Sequence, residues 1–185
     1  MAGARRRPEP PDGLVYRPDF LDEAEEARLL ALTDEIDFEE VRMHGVAARR
    51  TVAHFEFRYD YESWRLVPAR QMPDQLLALR ARCGELADVP PERLAQALVT
   101  RYPAGATIGW HRDAPAFGPE VVGVSLRSGC RMLLRREADG AHERYEMELA
   151  RRSAYVLGGA ARSAWRHRIP ATRSLRYSVT FRSLR

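Results

Sequence analysis

From Gln96 to the end of the chain, short apolar stretches alternate with turn signals, and this pattern restricts the possible folds more than any other feature. Glycine and proline mark the turns, as in Pro103-Ala104-Gly105 and Gly158-Gly159. Many short strands separated by turns are typical of a sandwich or barrel. Strands are predicted near Ala97–Tyr102, Thr107–Arg112, Val121–Leu126, Cys130–Arg136, Glu143–Leu149, Ala154–Leu157, Ser163–Arg168 and Arg176–Arg182. The sequence therefore predicts a double-sheet jelly roll, or double-stranded β-helix, in an α+β protein that is mainly β.

The first half of the chain is predicted to contain two helices that pack on one sheet. Asp22–Ile36 has acidic residues in its first turn, where they favour the helix dipole, and Pro73–Ala87 has apolar residues at helical spacing. Between them, Thr51–Tyr61 alternates as a strand with four aromatic residues on one face, and Trp64–Met72 is predicted to be a loop. Such an aromatic face is usually core, but it could also stack on a flat base.

The length of 185 residues fits one domain. We expect a disordered N-terminal tail at 1–13 and a single domain at 14–185, with the helices in 14–95 and the jelly-roll core in 96–185. We find no apolar run of membrane-spanning length and no apolar signal segment. These features predict a monomeric, soluble, cytoplasmic protein without a membrane partner.

All 30 basic residues are arginine, and the net charge is +4. The absence of lysine excludes Schiff-base chemistry and a P-loop lysine. The basic balance is compatible with a polyanionic partner. The two cysteines, Cys83 and Cys130, do not form a metal-type cluster and are predicted to be buried free thiols.

His111-Arg112-Asp113 is a candidate metal site. On a strand, side chains two residues apart point the same way, so both ligands could bind one metal ion. Two histidines and one carboxylate are the ligand set of non-haem Fe(II) oxygenases. His167, 54 residues after Asp113 on a late predicted strand, is the best third ligand among the five histidines. The alternative is a surface histidine beside an acid, because such triplets are common by chance.

The last predicted strand alternates with period two. Tyr177, Val179 and Phe181 should face the core, while Arg176, Ser178, Thr180 and Arg182 share the opposite face. Two guanidinium groups inside a barrel require an anion, and a dicarboxylate would satisfy them. The alternative is that both arginines extend from an edge strand into solvent.

These motifs, with Arg101-Tyr102-Pro103-x-Gly105 before them, resemble the AlkB family of Fe(II)/2-oxoglutarate-dependent dioxygenases over roughly Arg49 to Arg185. The family pattern is H-x-D, a distant H, and R-x-N-x-T-x-R. The resemblance implies that Fe(II) is bound by His111, Asp113 and His167. It implies that 2-oxoglutarate is bound by Arg176, Arg182, Tyr102, Ser178 and Thr180. It also implies a substrate lid within 14–95, with substrate contacts from Arg49, Arg50, Tyr59 and Tyr61 and with Trp110 as a further stacking candidate.

The activity implied by the resemblance is oxidative dealkylation of damaged bases in DNA or RNA, as in DNA repair, with O2 consumed and succinate, CO2 and an aldehyde released. Two positions depart from the family. Ser178 replaces the usual Asn, and Ala114-Pro115 stands where repair members commonly carry acidic residues that read the base. Two alternatives therefore remain: a related dioxygenase acting on a tRNA modification, protein or small molecule, and a cupin-like metal-binding module without oxygenase activity.

Overall fold

The computed structural model describes residues 9–43, 46–60, 62–138 and 140–185. Its strands are β1 (Leu14–Arg17), β2 (Glu39–Met43), β3 (Val46–Phe55), β4 (Phe57–Asp60), β5 (Arg65–Pro68), β6 (Gln96–Tyr102), β7 (Ile108–His111), β8 (Phe117–Leu126), β9 (Cys130–Ala138), β10 (Ala141–Leu149), β11 (Ala154–Leu157), β12 (Arg166–Ile169) and β13 (Arg176–Leu184). Its helices are α1 (Glu23–Glu35), α2 (Asp74–Ala87) and α3 (Gly159–Ser163).

Two sheets face each other, as the jelly-roll prediction requires. The seven-stranded sheet has the order β1-β11-β8-β13-β6-β3-β2, and the four-stranded sheet has the order β10-β9-β12-β7. The strand pairs in both sheets are antiparallel. Strands β1, β2 and β3 complete the larger sheet, so residues 14–95 contribute more to the barrel than we predicted from the sequence.

Helices α1 and α2 lie on the outer face of the seven-stranded sheet, as predicted. Helix α1 begins with a capping box, in which Asp22 Oδ1 accepts from Glu25 N at 2.7 Å and Asp22 N donates to Glu25 Oε2 at 2.8 Å. Leu76 and Leu79 of α2 share one core cluster with Val179 and Phe181 of β13. Strand β13 therefore turns its apolar face to the helices and its polar face to the space between the sheets.

A second apolar cluster fills part of the space between the sheets. It includes Val121 and Leu157 from the larger sheet and Met132 and Leu134 from the smaller one. Cys83 and Cys130 are buried and free, which confirms the prediction for the thiols. Within the described residues, no helix is long and apolar enough to span a bilayer.

The segment predicted as one strand over Thr51–Tyr61 is divided at Glu56, which has a positive φ of 62°. Strand β3 ends before Glu56. The next strand, β4, pairs with β5, which lies inside the segment predicted as a loop. The amide of Glu56 donates to Arg70 O at 2.7 Å, so the change of direction is held by hydrogen bonds. The aromatic residues therefore do not share one face: Phe55 is buried in the core, whereas Tyr59 lies on the β4–β5 hairpin.

The strand predicted at Ser163–Arg168 is also wrong at its start. Residues Gly159–Ser163 form the short helix α3, and the strand begins only at Arg166. The start of α3 is held by Asp12 and Gly13, whose carbonyls accept from Ala161 N at 2.8 Å and Gly158 N at 2.9 Å. The end of the predicted disordered tail is therefore ordered, while residues 1–8 lie outside the described part of the chain.

Candidate metal centre and co-substrate pocket

Three candidate ligands meet between the sheets. His111 ends β7 and pairs directly with His167 on β12, which places their ring centroids 4.2 Å apart. Asp113 follows in the loop after β7, and ligand atoms of the three side chains lie within 4.8 Å of one another. The three side chains converge as predicted, but the prediction assumed that His111 and Asp113 lie on one strand. The strand in fact ends at His111, so the following loop, rather than strand alternation, directs Asp113 inward.

Hydrogen bonds fix the orientation of the candidate ligands. His111 Nδ1 lies 2.9 Å from Gly109 O, which can only accept, so this nitrogen carries the proton and Nε2 keeps its lone pair. Arg182 Nε donates to Asp113 Oδ1 at 2.6 Å, and Arg182 Nη1 donates to Gln96 Oε1 at 3.1 Å. Asp113 Oδ2, by contrast, is buried without a hydrogen-bond partner, 3.9 Å from His167 Nε2.

The electrostatic setting keeps these groups in their ligand forms. Burial acts to raise the pKa of Asp113, but the Arg182 guanidinium and then His167 outweigh it, and the pKa falls well below its usual range. Burial and then the neighbouring His111 lower the pKa of His167 to about 4. The Asp113 carboxylate and the neutral His167 imidazole are therefore present at neutral pH, as metal binding requires.

A second polar group lies farther along β13. Arg176 is 1% exposed, and its Nη2 donates to Ser125 Oγ at 2.9 Å. Its Nε and Nη1 are buried without a hydrogen-bond partner. The guanidinium carbon lies 4.9 Å from the ring centroid of Tyr102, and Ser178 Oγ lies 3.5 Å from the Tyr102 hydroxyl. The alternative of arginines extending from an edge strand is wrong, because β13 is central in its sheet and Arg176 is buried.

Thr180 completes the predicted set on the same face of β13. It pairs with Gly123 of β8, and a Cβ at Gly123 would lie 2.5 Å from the hydroxyl of Tyr155. The glycine therefore makes room for the Tyr155 ring between the sheets. Burial, and next Tyr102, raise the pKa of Tyr155, while Arg176 opposes the shift. The hydroxyl is thus neutral and can donate a hydrogen bond.

Sequence reasoning missed three residues of this interior: Tyr155, Gln96 and His54. The sequence signal for Tyr155 was a glycine inside a strand pattern, which often marks a close approach of another group. Gln96 starts β6 and supports Arg182, as described above. His54 lies on β3 opposite Leu98, and burial, with Arg182 second, lowers its pKa to about 4. His54 precedes the barrel predicted from Gln96 onward, but the strand on which it lies, β3, belongs to the larger sheet.

The candidate substrate residues are more dispersed. A cleft of about 980 Å³ opens beside the three ligands, and Trp110 lines it. The Trp110 ring lies 4.3 Å from the Arg135 guanidinium and 5.5 Å from that of Arg168. Because guanidinium groups already contact this ring, it is a poorer stacking platform for a base than we expected from the sequence.

The other predicted substrate residues lie on β3, on the β4–β5 hairpin or outside the residues that the structure describes. The Tyr59 ring lies 6.2 Å from Phe117, whose ring is in turn 4.8 Å from the Arg182 guanidinium. Arg50 Nη1 donates to Thr107 O at 3.3 Å, and Arg49 Nη1 lies close to Gly105 in the same loop. Tyr61 is outside the described residues.

The donor set fits a divalent iron ion and a dicarboxylate co-substrate. The unpartnered Oδ2 of Asp113 and two imidazoles form a two-histidine, one-carboxylate set on one side of a possible metal position. The unpartnered nitrogens of Arg176 suit a carboxylate, because a buried guanidinium without an anion is costly. His111, Asp113 and His167 could therefore hold the metal, and Arg176 could hold the far end of the co-substrate.

Comparisons with known proteins agree with this geometry. The chain is 28% identical over 183 residues to an alkylated DNA repair protein ALKBH8 homolog of Arabidopsis thaliana, covering 85% of this chain and 51% of that protein. It thus spans about half the length of that relative.

Solved structures share the fold. OsALKBH1 aligns with a TM-score of 0.72 at 15% identity, over 96% of this chain and 100% of that one. A 2OG-Fe(II) oxygenase family oxidoreductase from Burkholderia pseudomallei aligns with a TM-score of 0.65 at 20% identity, over 93% and 85% of the two chains. A Trichoplax adhaerens prolyl hydroxylase in complex with a hypoxia inducible factor peptide aligns with a TM-score of 0.66 at 13% identity, over 94% and 84%.

The family model of the 2OG-Fe(II) oxygenase superfamily matches residues 13–182. This match covers both candidate sites and nearly the whole chain. It favours a 2-oxoglutarate-dependent dioxygenase over a cupin-like binding module. The AlkB-type relatives above support an AlkB-like protein, and the family match shows that the chain belongs to the 2OG-Fe(II) oxygenase superfamily.

Proposed function

We propose that this protein oxidatively dealkylates damaged bases in DNA or RNA, with Fe(II), 2-oxoglutarate and O2. The observation that carries the proposal is the arginine-rich cleft beside the three candidate ligands. Its lining includes Arg112, Arg162, Arg166 and Arg185. Four guanidinium groups around a candidate metal centre fit a polyanion such as a nucleic acid strand.

The arginines of the cleft have different local roles. Arg162 donates to the carbonyls of Ala114 and Phe117 at 3.3 and 3.2 Å and so braces the loop after Asp113. Arg112 Nη1 donates to Ser163 O at 2.8 Å, which leaves the rest of its exposed guanidinium free for a phosphate. Arg166 is exposed at the start of β12, immediately before the candidate ligand His167. We infer that Arg162 positions the loop and that Arg112 and Arg166 contact phosphates.

In this proposal each interior residue has one role. His111, Asp113 and His167 hold Fe(II), which when bound supplies O2 activation coupled to the decarboxylation of 2-oxoglutarate. Arg182 keeps Asp113 ionised and occupies only its Oδ1, so that Oδ2 would be available to bind the metal. Arg176 binds the far carboxylate of 2-oxoglutarate, with hydroxyl groups from Tyr102, Ser178 and Thr180 lining the same pocket.

The substrate chemistry follows from hydroxylation of an N-alkyl carbon. An N-methyl group becomes an N-hydroxymethyl group, which breaks down by C–N cleavage to the free amine and formaldehyde. The reacting carbon must reach a centre between two sheets, so the base has to leave its stack, at a cost of a few kcal/mol. The β4–β5 hairpin, with Tyr59 near Phe117, is the segment that we propose covers the base.

A second candidate function is hydroxylation of a tRNA modification, protein or small molecule. Ala114 and Pro115 favour it, because neither residue offers a carboxylate to read an exocyclic amine. Pro115 lines the cleft directly. The mass-spectrometry experiment described next distinguishes the two functions.

The test is mass spectrometry of methylated and etheno-adducted oligonucleotides after incubation with the enzyme, Fe(II), 2-oxoglutarate and ascorbate. We expect loss of the alkyl group with matching formation of succinate, and neither product with Asp113→Ala. Unmodified oligonucleotides of the same sequence give the background rate of 2-oxoglutarate turnover. Turnover at that background rate, with no mass change on any alkylated oligonucleotide, would reject base dealkylation and favour the second candidate.

A further inference from the structure

The outer face of the four-stranded sheet carries three arginines in direct register. Arg135 on β9 pairs with Arg144 on β10 on one side and with Arg166 on β12 on the other. Their neighbours Leu134, Tyr145 and His167 face the inside of the barrel, so the three arginines share the outer face. We call Arg144, Arg135 and Arg166 the arginine ladder.

The arginine ladder is unfavourable for the isolated chain. Cross-strand neighbours have Cβ atoms roughly 5 Å apart, and like charges in this position destabilise a sheet. Two other arginines of the same sheet are neutralised: Arg131 makes a two-point contact with Glu146 at 2.6 and 2.8 Å, and Arg136 Nε donates to Glu143 at 2.6 Å. Within the described residues, no ladder arginine forms an ion pair with a carboxylate.

The arginine ladder leads to the candidate active site. The guanidinium of Arg135 lies 4.3 Å from the ring centroid of Trp110, on the edge strand β7. Trp110 and Arg166 both line the cleft that opens on the candidate ligands His111 and Asp113. A linear anion lying along the ladder, across β10, β9 and β12, would therefore reach the cleft at the edge of the sheet.

We propose that the arginine ladder binds the sugar-phosphate backbone of single-stranded nucleic acid next to the nucleotide that enters the cleft. The three arginines span two strand spacings, about 10 Å, which suits a chain of phosphates rather than one small anion. A single strand fits because its bases leave the stack more easily than those of a duplex. This inference rests on the proposed function and specifies how its substrate is held.

The test uses the full chain with Arg135→Gln and Arg144→Gln combined. Neither residue lines the cleft, so a loss of binding would come from the outer face. Fluorescence anisotropy of a labelled, unmodified single-stranded oligonucleotide, as DNA and as RNA, is measured over a range of salt concentrations. Each phosphate contact contributes about 0.7 to the slope of log affinity against log salt for single strands. We expect the double variant to bind more weakly and its slope to fall by about 1.4.

The control removes the same charge on the opposite side of the molecule, with Arg17→Gln and Arg28→Gln combined. Both arginines are exposed, and Arg28 lies on α1, outside the larger sheet. This control should keep the wild-type slope. Because the ladder repels itself, the double variant should melt at or above the wild-type temperature, which shows that it is folded.

Several results would overturn the proposal. These are an unchanged slope in the ladder variant, an equal loss of binding in the control, or no binding of any oligonucleotide by the wild type. Binding to vesicles of phosphatidylcholine and phosphatidylserine without binding to oligonucleotides would assign the ladder to a membrane surface instead. Failure of the proposed function can be distinguished from failure of the ladder. If only the ladder variant loses oligonucleotide binding and the wild type consumes no alkylated base, the ladder is supported and dealkylation is rejected.

Discussion

At the scale of single residues, the site depends on two arginines of β13 with different tasks. Arg182 is already paired with Asp113, so its charge is neutralised within the chain. Arg176 has buried nitrogens without a partner, so its charge is left for a ligand. The sequence predicted both positions because period-two alternation places them on one face. It could not predict the difference, because that depends on the loop that brings Asp113 to Arg182.

Asp113→Ala should abolish iron retention while the protein stays folded. The substitution removes one of three candidate ligands and also leaves Arg182 without its anion, so some loss of stability is expected. Iron content after anaerobic loading and desalting measures the effect, and circular dichroism checks the fold. Asp34→Ala, an exposed carboxylate on α1, is the matched control. Full iron occupancy in Asp113→Ala would contradict the assignment.

Arg176→Ala should weaken 2-oxoglutarate binding by about 1.5–3 kcal/mol, the usual contribution of a hydrogen bond to a charged group. Isothermal titration of the metal-loaded protein with 2-oxoglutarate measures the change. Arg173→Ala, an exposed arginine just before the same strand, should leave the affinity unchanged. Equal affinities for wild type and Arg176→Ala would mean that the co-substrate lies elsewhere.

At the scale of helices and strands, sequence patterns predicted the elements but not the contacts that end them. The predicted limits of α1 and α2 lie within one residue of the observed limits, because helix caps and helical periodicity are local features of the sequence. The division at Glu56 and the helix α3 were missed, since both depend on distant backbone partners, Arg70 for Glu56 and Asp12 for α3. Similarly, β5 was missed because Arg65–Pro68 has little strand pattern and is held by pairing with β4.

Glu26 connects α1 to two turns of the barrel. Its carboxylate is 1% exposed and accepts from Arg127 N at 2.7 Å and Arg151 Nε at 2.7 Å. Glu26→Gln should cost about 1–3 kcal/mol, because the charge-assisted bonds are weakened in a buried position. Thermal unfolding measures this cost. Glu23→Gln on the same helix, whose partner is Arg152, should change little because that side chain is 87% exposed.

The Glu26 contribution should depend on pH. Burial acts to raise the pKa of Glu26, but the bonds from Arg151 and Arg127 outweigh it and lower the pKa in the folded state. The contribution is therefore present above the ordinary carboxyl pKa and lost as the pH falls through the lower folded value. The stability difference between wild type and Glu26→Gln should narrow in acid, and a constant difference would contradict this reasoning.

At the scale of the whole molecule, the candidate site joins the two sheets. His111 and His167 come from the smaller sheet, while Arg176 and Arg182 come from the larger one. Ligands that contact both sheets should stabilise the folded state by mass action, by about 2.7 kcal/mol at a hundred times the dissociation constant. Since 1 kcal/mol shifts the melting temperature of a domain of this size by about 2–4 °C, the effect is measurable.

We expect Mn(II) to raise the melting temperature in an anaerobic thermal scan and 2-oxoglutarate to raise it further. Asp113→Ala should lose both increments, because co-substrate binding depends on the metal. Arg176→Ala should keep the Mn(II) increment and lose most of the second one. Identical shifts in all three proteins would show that the ligands bind outside the proposed centre.

The position of β13 has one further consequence, for the order of events during unfolding. This strand is flanked by β6 and β8 and lies under the helices, so its amides should be among the last in the protein to exchange with solvent. Arg176 and Arg182 are thus anchored in the segment that opens only when the entire domain opens. Heat inactivation should then coincide with global denaturation instead of preceding it.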